Sequence, residues 1–306
     1  MCYKIKWRRP WPADDIRSEE FLLSTGIPME EADALLSEWE PAWELLHFKK
    51  PKGWYCCEPR DSWNYAQEKW KVVTSLLLED EKLNHWHPNP ACRVPHITHV
   101  GTIRVNLTNK RKETACAIVS NSGLKLFSEP SSAMRLRIRF CTFEGVDLYG
   151  KADAWQHCKR HFWSSPGIPA NYKGELEGTH WAVEKIKLMS GYKVAVCLEN
   201  SQEPYYFTEK FLAAAQSGCV PVYQAHDTVR QSFLKGAKWV DPADFKFDPA
   251  RTLKAALSEP IESYWEANAE WLKNPIVTST EREHVLRHLA TLLCRRIRSV
   301  ECGSSK

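Results

Sequence analysis

Short apolar runs alternate with segments of helical spacing along the chain, most regularly after residue 110. Residues 114–119, 146–149 and 194–198 are short and rich in apolar side chains. Such runs are typical of strands that are buried on both faces of a parallel sheet. Apolar residues at helical spacing predict helices over 133–143 and 209–216, which would connect these strands.

Outside this central region, apolar runs and segments of helical spacing alternate less regularly. Helical spacing predicts further helices at 19–23, 30–46, 249–257, 261–273 and 280–300. In the N-terminal part, residues 54–57 are typical of a short buried strand, and 70–78 of a strand or a strand–helix unit. Repeated strand–helix units that end in helices predict a doubly wound α/β architecture.

The segment 193–210 combines a buried strand, a polar strand end and a charged helix start. Polarity changes abruptly at Glu199, where the predicted strand ends. Ligands of open α/β sheets bind outside the carboxyl ends of the strands, so polar groups here are well placed to contact one. Thr208 is a typical N-cap for a helix over 209–216, which puts Lys210 in the first turn. A cation is disfavoured there by the helix dipole, so Lys210 suggests a bound anion such as phosphate.

Residues 199–210, ENSQEPYYFTEK, resemble the signature of the α-1,3/1,4-fucosyltransferases, which has the form F-E-N-S, a spacer and Y-x-T-E-K. The resemblance extends from about residue 116 to 245. Four further segments carry it: IVSN at 118–121, VDLYG at 146–150, GCVPVY at 218–223 and DPADF at 241–245. The chain departs from the family pattern at Leu198, at Gln224-Ala225 and over its first hundred residues. The resemblance therefore supports the donor class better than the acceptor.

The resemblance implies a GT-B fold, with two facing Rossmann-like domains and a C-terminal helical tail. We expect an acceptor-side domain over 1–105, a donor-binding domain over 106–275 and a C-terminal helix over 276–306. The implied reaction is an inverting transfer of fucose from GDP-fucose to a hydroxyl of a GlcNAc- or Glc-containing glycan, with α-1,3 linkage. Two alternatives stay open, transfer from another GDP-sugar and a non-catalytic carbohydrate-binding relative.

The reaction requires cations beside the pyrophosphate of GDP. Lys210, at the helix start, and Arg135, in the basic run MRLRIRF, are the predicted phosphate ligands. An arginine bridges phosphate oxygens with two N–H groups and stays charged, which helps GDP to depart. The alternative for Arg135 is a solvated basic face, since Arg137 and Arg139 follow it at strand-like spacing.

Other site residues are carried over from the resemblance. Glu209 matches the glutamate that contacts donor sugar hydroxyls, and its carboxylate would stabilise positive charge that develops on the fucose ring. Asn200 and Tyr206 would shape the donor pocket. Ser120 and Asn121 are similar to the family's nucleotide-contacting pair. The alternative for Glu209 is a helix-dipole glutamate at the first turn.

The predicted general base is Glu58, in the segment YCCEPRDS. The N-terminal domain of the family carries a similar strand followed by a glutamate that is proposed to deprotonate the acceptor. Pro59 follows Glu58 directly and favours an extended backbone there. A partly desolvated carboxylate can have a raised pKa that suits proton removal. The alternative is a surface glutamate beside Arg60, and Asp61 is the nearest substitute as base.

Composition changes this picture little. The net charge of +4 is small for 306 residues and does not favour a nucleic-acid binder. The eleven cysteines include no C-x-x-C pair, which argues against a zinc ribbon, so we expect them to be reduced and structural. A His- and Cys-containing loop at 85–99 matches no structural zinc pattern, so no metal and no cofactor are expected.

No run approaches the roughly 18 apolar residues that span a bilayer. We therefore expect a cytoplasmic or peripheral membrane location. Contact of the basic last helix with a membrane surface is one alternative, and packing of that helix on the domains is the other.

Overall fold

The computed structural model divides the chain into two compact units. The first comprises Met1–Ile97 and Ser279–Lys306, and the second comprises Thr98–Thr278. The structure describes residues 2–9, 13–39, 42–56, 73, 75–85, 87–95, 98, 110–120, 132–152, 168–176, 178 and 181–303. The segment Ser279–Lys306 thus belongs to the same unit as the N-terminal part of the chain.

The first unit is built on a six-stranded sheet. Its strands are β1 (Tyr3–Arg8), β2 (Ile16–Arg17), β3 (Phe21–Ser24), β4 (Ala34–Glu38), β5 (Lys52–Tyr55) and β6 (Lys82–Leu83). They lie in the order β2-β3-β1-β4-β5-β6, and every pair is parallel except β2 with β3. A short helix, α1 (Glu44–His47), precedes β5.

Two helices predicted in this unit are wrong. Segment 19–23 contains β3, and segment 30–46 contains β4 followed by α1. Ala34, Leu35 and Leu36 of β4 are fully buried because this strand lies in the middle of the sheet. A short apolar run fits a buried strand and a helix equally well, so the pairing with β1 decides its structure. The strand predicted at 54–57 is β5, shifted by two residues. Of segment 70–78 the structure describes residues 73 and 75–78, and 73, 75 and 76 are helical.

The C-terminal helix, Arg282–Gly303, supplies the core that covers this sheet. Val285, Leu289 and Leu293 are fully buried and cluster with Ile5 of β1 and Leu23 of β3. The apolar stripe of the helix therefore packs within the first unit. This agrees with the alternative that the helix packs on the domains. Among the helices that the structure describes, none is long and apolar enough to cross a membrane.

The second unit is built on a parallel five-stranded sheet. Its strands are β7 (Lys112–Ile118), β8 (Val146–Tyr149), β9 (Tyr172–Gly174), β10 (Tyr192–Val196) and β11 (Val220–Val222). They lie in the order β11-β10-β7-β8-β9. The described helices are α2 (Ser132–Cys141), α3 (Trp181–Ser190), α4 (Glu209–Gln216), α5 (Asp227–Gln231), α6 (Pro249–Ser258), α7 (Ile261–Trp271) and α8 (Pro275–Thr278), with a 3-10 turn at Pro242–Phe245. The strands and helices predicted after residue 110 are confirmed, within a few residues at their ends.

Apolar cores on both faces of this sheet explain the apolar runs within β7 and β10, at 115–118 and 194–196. Ala195 of β10 belongs to a cluster with Phe211 of α4, whereas Val194 belongs to a cluster with Phe140 of α2 and Leu253 of α6. Neighbouring residues of one strand thus enter opposite cores, because successive side chains of a strand point to opposite faces. Helices on both faces of a parallel sheet confirm the predicted α/β class.

Candidate active site

The strand order of the second unit places a topological switch point between β7 and β10. From β7 the chain continues to β8 and β9 on one side, then crosses back to β10 and β11 on the other. The helices that follow the two strands therefore diverge and leave a crevice at their carboxyl ends. This crevice is where open α/β sheets bind their ligands. Residues 118–120 after β7 and 197–200 after β10 lie at its edge.

Glu199 connects the end of β10 to the start of α4. Its carboxylate accepts hydrogen bonds from the backbone N–H of Thr208 at 3.0 Å, from the Thr208 hydroxyl at 2.8 Å and from the Tyr223 hydroxyl at 3.0 Å. The side chain is only 2% exposed. Glu199 is therefore a structural carboxylate that holds the helix start against the strand end. The Thr208 side chain in turn caps α4, as predicted.

Two ammonium groups approach the start of α4. Lys210 Nζ lies 3.2 Å from Glu199 Oε2 and 3.7 Å from Glu209 Oε1. Lys185 Nζ, from α3, lies 3.4 Å from the same Glu209 oxygen. The Lys185 side chain is 5% exposed and the Lys210 side chain 14%. Glu209 thus lies between two largely buried cations, with a quarter of its own side chain exposed.

The surroundings shift the pKa values of the two lysines in opposite directions. Burial lowers the pKa of Lys185, and the positive charges of Lys210 and Arg137 add to this effect against the attraction of Glu209. Burial also acts to lower the pKa of Lys210, but the carboxylates of Glu199 and Glu209 outweigh it and raise that pKa above its ordinary value. Lys210 therefore remains a cation at neutral pH.

An arginine completes the cationic group, and it is Arg137 where Arg135 was predicted. Arg137 is buried, donates a hydrogen bond to the side-chain oxygen of Asn200, and lies 3.4 Å from the carbonyl oxygen of Ile118. Arg135 and Arg139 are exposed. The run MRLRIRF is part of α2, so its arginines follow a period of 3.6 and not the strand period of two. The phosphate role predicted for Arg135 therefore fits Arg137 better.

The three cationic side chains line one small pocket at the switch point. Its lining combines the three positive side chains with strand-end residues: Arg137, Lys185, Lys210, Ile118, Met189 and residues 196–198. With Glu199 and Glu209 alongside, the described site holds three cationic and two acidic side chains, a formal excess of one positive charge. Buried cations beside a helix N-terminus favour an anionic ligand.

The remaining predicted residues of the donor site are Ser120, Asn121, Asn200 and Tyr206. Asn200 contacts Arg137, and Tyr206 is buried in the loop before α4. Ser120 is half-buried just after β7. Gly150, after β8, lies so close to this edge that a Cβ atom would stand 2.0 Å from the carbonyl oxygen of Val119, and its φ of +124° favours glycine. Asn121 lies outside the described residues.

The predicted base and the histidine loop both belong to the N-terminal part of the chain. Glu58 and Asp61 lie outside the described residues. In the loop, His87 Nε2 lies 2.8 Å from the carbonyl oxygen of Glu79, and its Nδ1 accepts from the backbone N–H of Asn89. Within the described part of the chain, no group of three or more His, Cys, Asp or Glu side chains could hold a metal ion, and the nine cysteines there are free.

Sequence reasoning missed Lys185 as well as Arg137. A signal for Lys185 exists, since it lies four residues after Trp181 and four before Met189, on the helix face that carries apolar residues. A lysine at such a position predicts a buried cation. Its ammonium lies 4.8 Å from the centre of the Trp181 ring, a cation–π contact.

Comparison with known proteins adds independent information. Three solved structures illustrate the similarity. An α1,3-fucosyltransferase is 12% identical, with a TM-score of 0.49, over 95% of this chain and 90% of that chain. A structure of an α1,3-fucosyltransferase with GDP-fucose is 14% identical, with a TM-score of 0.41, at the same coverage. A UDP-forming α,α-trehalose-phosphate synthase from Burkholderia vietnamiensis has 11% identity and a TM-score of 0.46, over 87% of this chain and 74% of that chain.

A comparison with curated proteins found no match. The model of the glycosyltransferase family 10 (fucosyltransferase) C-terminal domain matches residues 108–302. This match covers more than half of the chain, including the switch point, all of α4 and most of the C-terminal helix. The chain therefore belongs to glycosyltransferase family 10, the fucosyltransferases.

Proposed function

We propose that the protein transfers fucose from GDP-fucose to a hydroxyl of a GlcNAc- or Glc-containing glycan, in α-1,3 linkage and with inversion at the anomeric carbon. The observation that carries the proposal is the convergence of Arg137, Lys185 and Lys210 on a pocket at the switch point. A sugar nucleotide presents a pyrophosphate to such a pocket, and cations there neutralise the charge that grows on GDP as the glycosidic bond breaks.

Two of the three cations, Lys210 and Arg137, act directly on the pyrophosphate in this proposal. Lys210, beside the N-terminus of α4, provides a point charge for one phosphate, and the helix dipole adds to it. Arg137 has a planar guanidinium that can contact two phosphate oxygens at once. These side chains would supply the charge stabilisation that a metal supplies in other enzymes, so we propose that no metal or other cofactor is required.

Glu209 is proposed to act on the fucose and not on the nucleotide. Its carboxylate is partly exposed, unlike that of Glu199, so a donor hydroxyl can reach it. A negative charge there would also stabilise the oxocarbenium-like transition state. Asn200, Tyr206 and Ser120 lie near the same edge and would complete the donor pocket.

The acceptor side of the reaction needs a base. Inversion follows if the acceptor oxygen attacks the anomeric carbon opposite GDP while a carboxylate removes its proton. Glu58 is proposed for this role, with Asp61 as the substitute. The proposed location remains cytoplasmic or peripheral to a membrane.

The first experiment measures GDP release from GDP-fucose with and without N-acetyllactosamine, in buffer that contains EDTA. We expect acceptor-dependent GDP release and an α-configured fucosyl product by NMR. Release from GDP-mannose but not from GDP-fucose would indicate another GDP-sugar as donor. Binding of lactosamine without release from either donor would indicate a non-catalytic relative. Loss of activity in EDTA that a divalent cation restores would contradict the metal-free mechanism.

A further inference from the structure

Lys185 is the most deeply buried cation among the described residues of the candidate site. Its side chain is 5% exposed, and it lies on the apolar face of α3 together with Ile186 and Met189. Desolvation of an ammonium costs several kcal/mol, and a buried ion pair often contributes no net stability compared with apolar residues. Burial of Lys185 is therefore better explained by what it does to its partner than by stability of the fold.

The partner of Lys185 is Glu209. Its Nζ lies 3.4 Å from Glu209 Oε1, and the lysine reaches this oxygen from α3, a different helix from the one that carries the glutamate. Lys210 contacts the same oxygen at 3.7 Å but also binds Glu199 at 3.2 Å. Among the described cations of the pocket, Lys185 thus pairs with Glu209, whereas Lys210 is shared between Glu199 and Glu209. It constrains the side chain that the proposed function assigns to the donor sugar.

The two carboxylates of the site, Glu199 and Glu209, differ in burial, and this difference supports a role of Lys185 in orienting Glu209. Glu199 is held by Thr208 and Tyr223 and is 2% exposed, so its orientation is determined by the fold. Glu209 is the first residue of α4 and is 25% exposed. An exposed glutamate at a helix start samples several rotamers unless a neighbour restrains it. An ion pair from α3 reduces that freedom before the donor binds, which is preorganisation.

We propose that Lys185 is a positioning residue that holds the Glu209 carboxylate in the orientation needed to contact the fucose of the donor. The proposal rests on the proposed function. It predicts that Lys185 contributes to recognition of the sugar through Glu209 and contributes little to recognition of GDP itself.

The test compares Lys185→Met with Lys185→Arg, using Lys187→Met as a matched control. Lys187 lies two positions along the same helix, is 64% exposed and pairs only locally with Glu184. Calorimetry with GDP and with GDP-fucose, and turnover at saturating acceptor, are measured for each variant. We expect Lys185→Met to keep GDP affinity within about threefold while turnover and the preference for GDP-fucose over GDP fall about tenfold, a typical coupling between contacting groups. Lys185→Arg should recover most of both, and Lys187→Met should match the unmodified protein.

A double-mutant cycle with Glu209→Gln identifies the route of the effect. If Lys185 acts through Glu209, adding Lys185→Met to Glu209→Gln should lower turnover by less than about twofold further. Independent effects that multiply would overturn the proposal. Equal losses of GDP and GDP-fucose affinity would also overturn it, since they would make Lys185 a phosphate ligand.

The remaining outcomes distinguish a variant that does not fold, failure of the proposed function and failure of the positioning role alone. If Lys185→Met does not fold, Lys185→Gln takes its place, and equal turnover and donor preference in the Gln and Arg variants would overturn the role of the charge. Absence of both GDP-fucose binding and transfer in the unmodified protein would reject the proposed function and, with it, the role of Lys185. Normal transfer by the unmodified protein and by Lys185→Met would reject the positioning role alone.

Discussion

Replacement of Lys210 tests the anion site most directly. Lys210→Met removes the ammonium but keeps an unbranched side chain of similar length, and the described site then loses its net positive charge. A unit charge about 4 Å from a phosphate oxygen contributes roughly 4 kcal/mol at an effective dielectric constant of about 20. Removal of one partner of a desolvated charge pair costs about 2–5 kcal/mol. We therefore expect GDP affinity to fall by about 2–4 kcal/mol, or roughly thirtyfold to several hundredfold.

The structure also predicts a cost in stability for this variant. Lys210 pairs with Glu199, which is 2% exposed and keeps its hydrogen bonds to Thr208 and Tyr223 when the lysine is removed. An unfolding free energy lower by about 1–3 kcal/mol is expected from the buried carboxylate that loses its cation. Because the pKa of Lys210 is raised, its stabilising charge is present at all pH values below the unfolded pKa and is lost only as the pH rises through the folded value.

Calorimetric titration with GDP at pH 7.5, well below the unfolding temperature of the variant, measures the effect. Lys210→Arg keeps the charge and should retain most of the affinity, while the exposed Lys187→Met should leave it unchanged. The expected loss should also shrink as salt is added, because screening weakens the charge–charge interaction. GDP affinity within threefold of the unmodified protein, in a Lys210→Met variant that is shown to be folded, would refute the phosphate role.

Three further predictions concern other residues of the proposed mechanism. Arg137→Met should weaken GDP binding at least tenfold, as expected for a charged hydrogen-bond partner, whereas the exposed Arg135→Met should change it less than twofold; the reverse order would restore the original assignment. Glu209→Gln should lower turnover far more than GDP affinity, and parallel losses would point to a phosphate-site or folding role instead. Glu58→Gln should lower transfer by about 10²–10⁴-fold with GDP-fucose binding nearly unchanged. Near-full turnover in that variant, with loss in Asp61→Asn, would transfer the role of base to Asp61.

The second unit could be predicted well because its local signals agree with its tertiary structure. The strands at β7, β8 and β10 are short apolar runs bounded by polar or glycine residues, and α4 begins at a threonine cap. In the first unit the same kind of run was misassigned at β3 and β4. There the apolar residues are few and continuous, so no period distinguishes a helix from a buried strand. Only pairing with β1 selects the strand.

The residues of the site also differ in whether one continuous segment or several distant segments of the chain bring them together. Glu209, Lys210 and Thr208 lie in one continuous segment, so their order along the chain already determined that a capped helix would begin beside a lysine. Arg137 and Lys185 come from other helices. Their contact with this segment depends on how α2 and α3 pack on the sheet.

The α/β class, the capped start of α4 and the cation beside it can be predicted from the amino-acid sequence, because they follow from hydrophobic period and capping over a few neighbouring residues. Tertiary structure alone decided which strands are neighbours, where the switch point lies and which cations reach it. Glu199 illustrates the reason. Its charge is visible in the sequence, but its role depends on Thr208 and Tyr223, nine and twenty-four positions away, which enclose the carboxylate only when β10, α4 and β11 pack together.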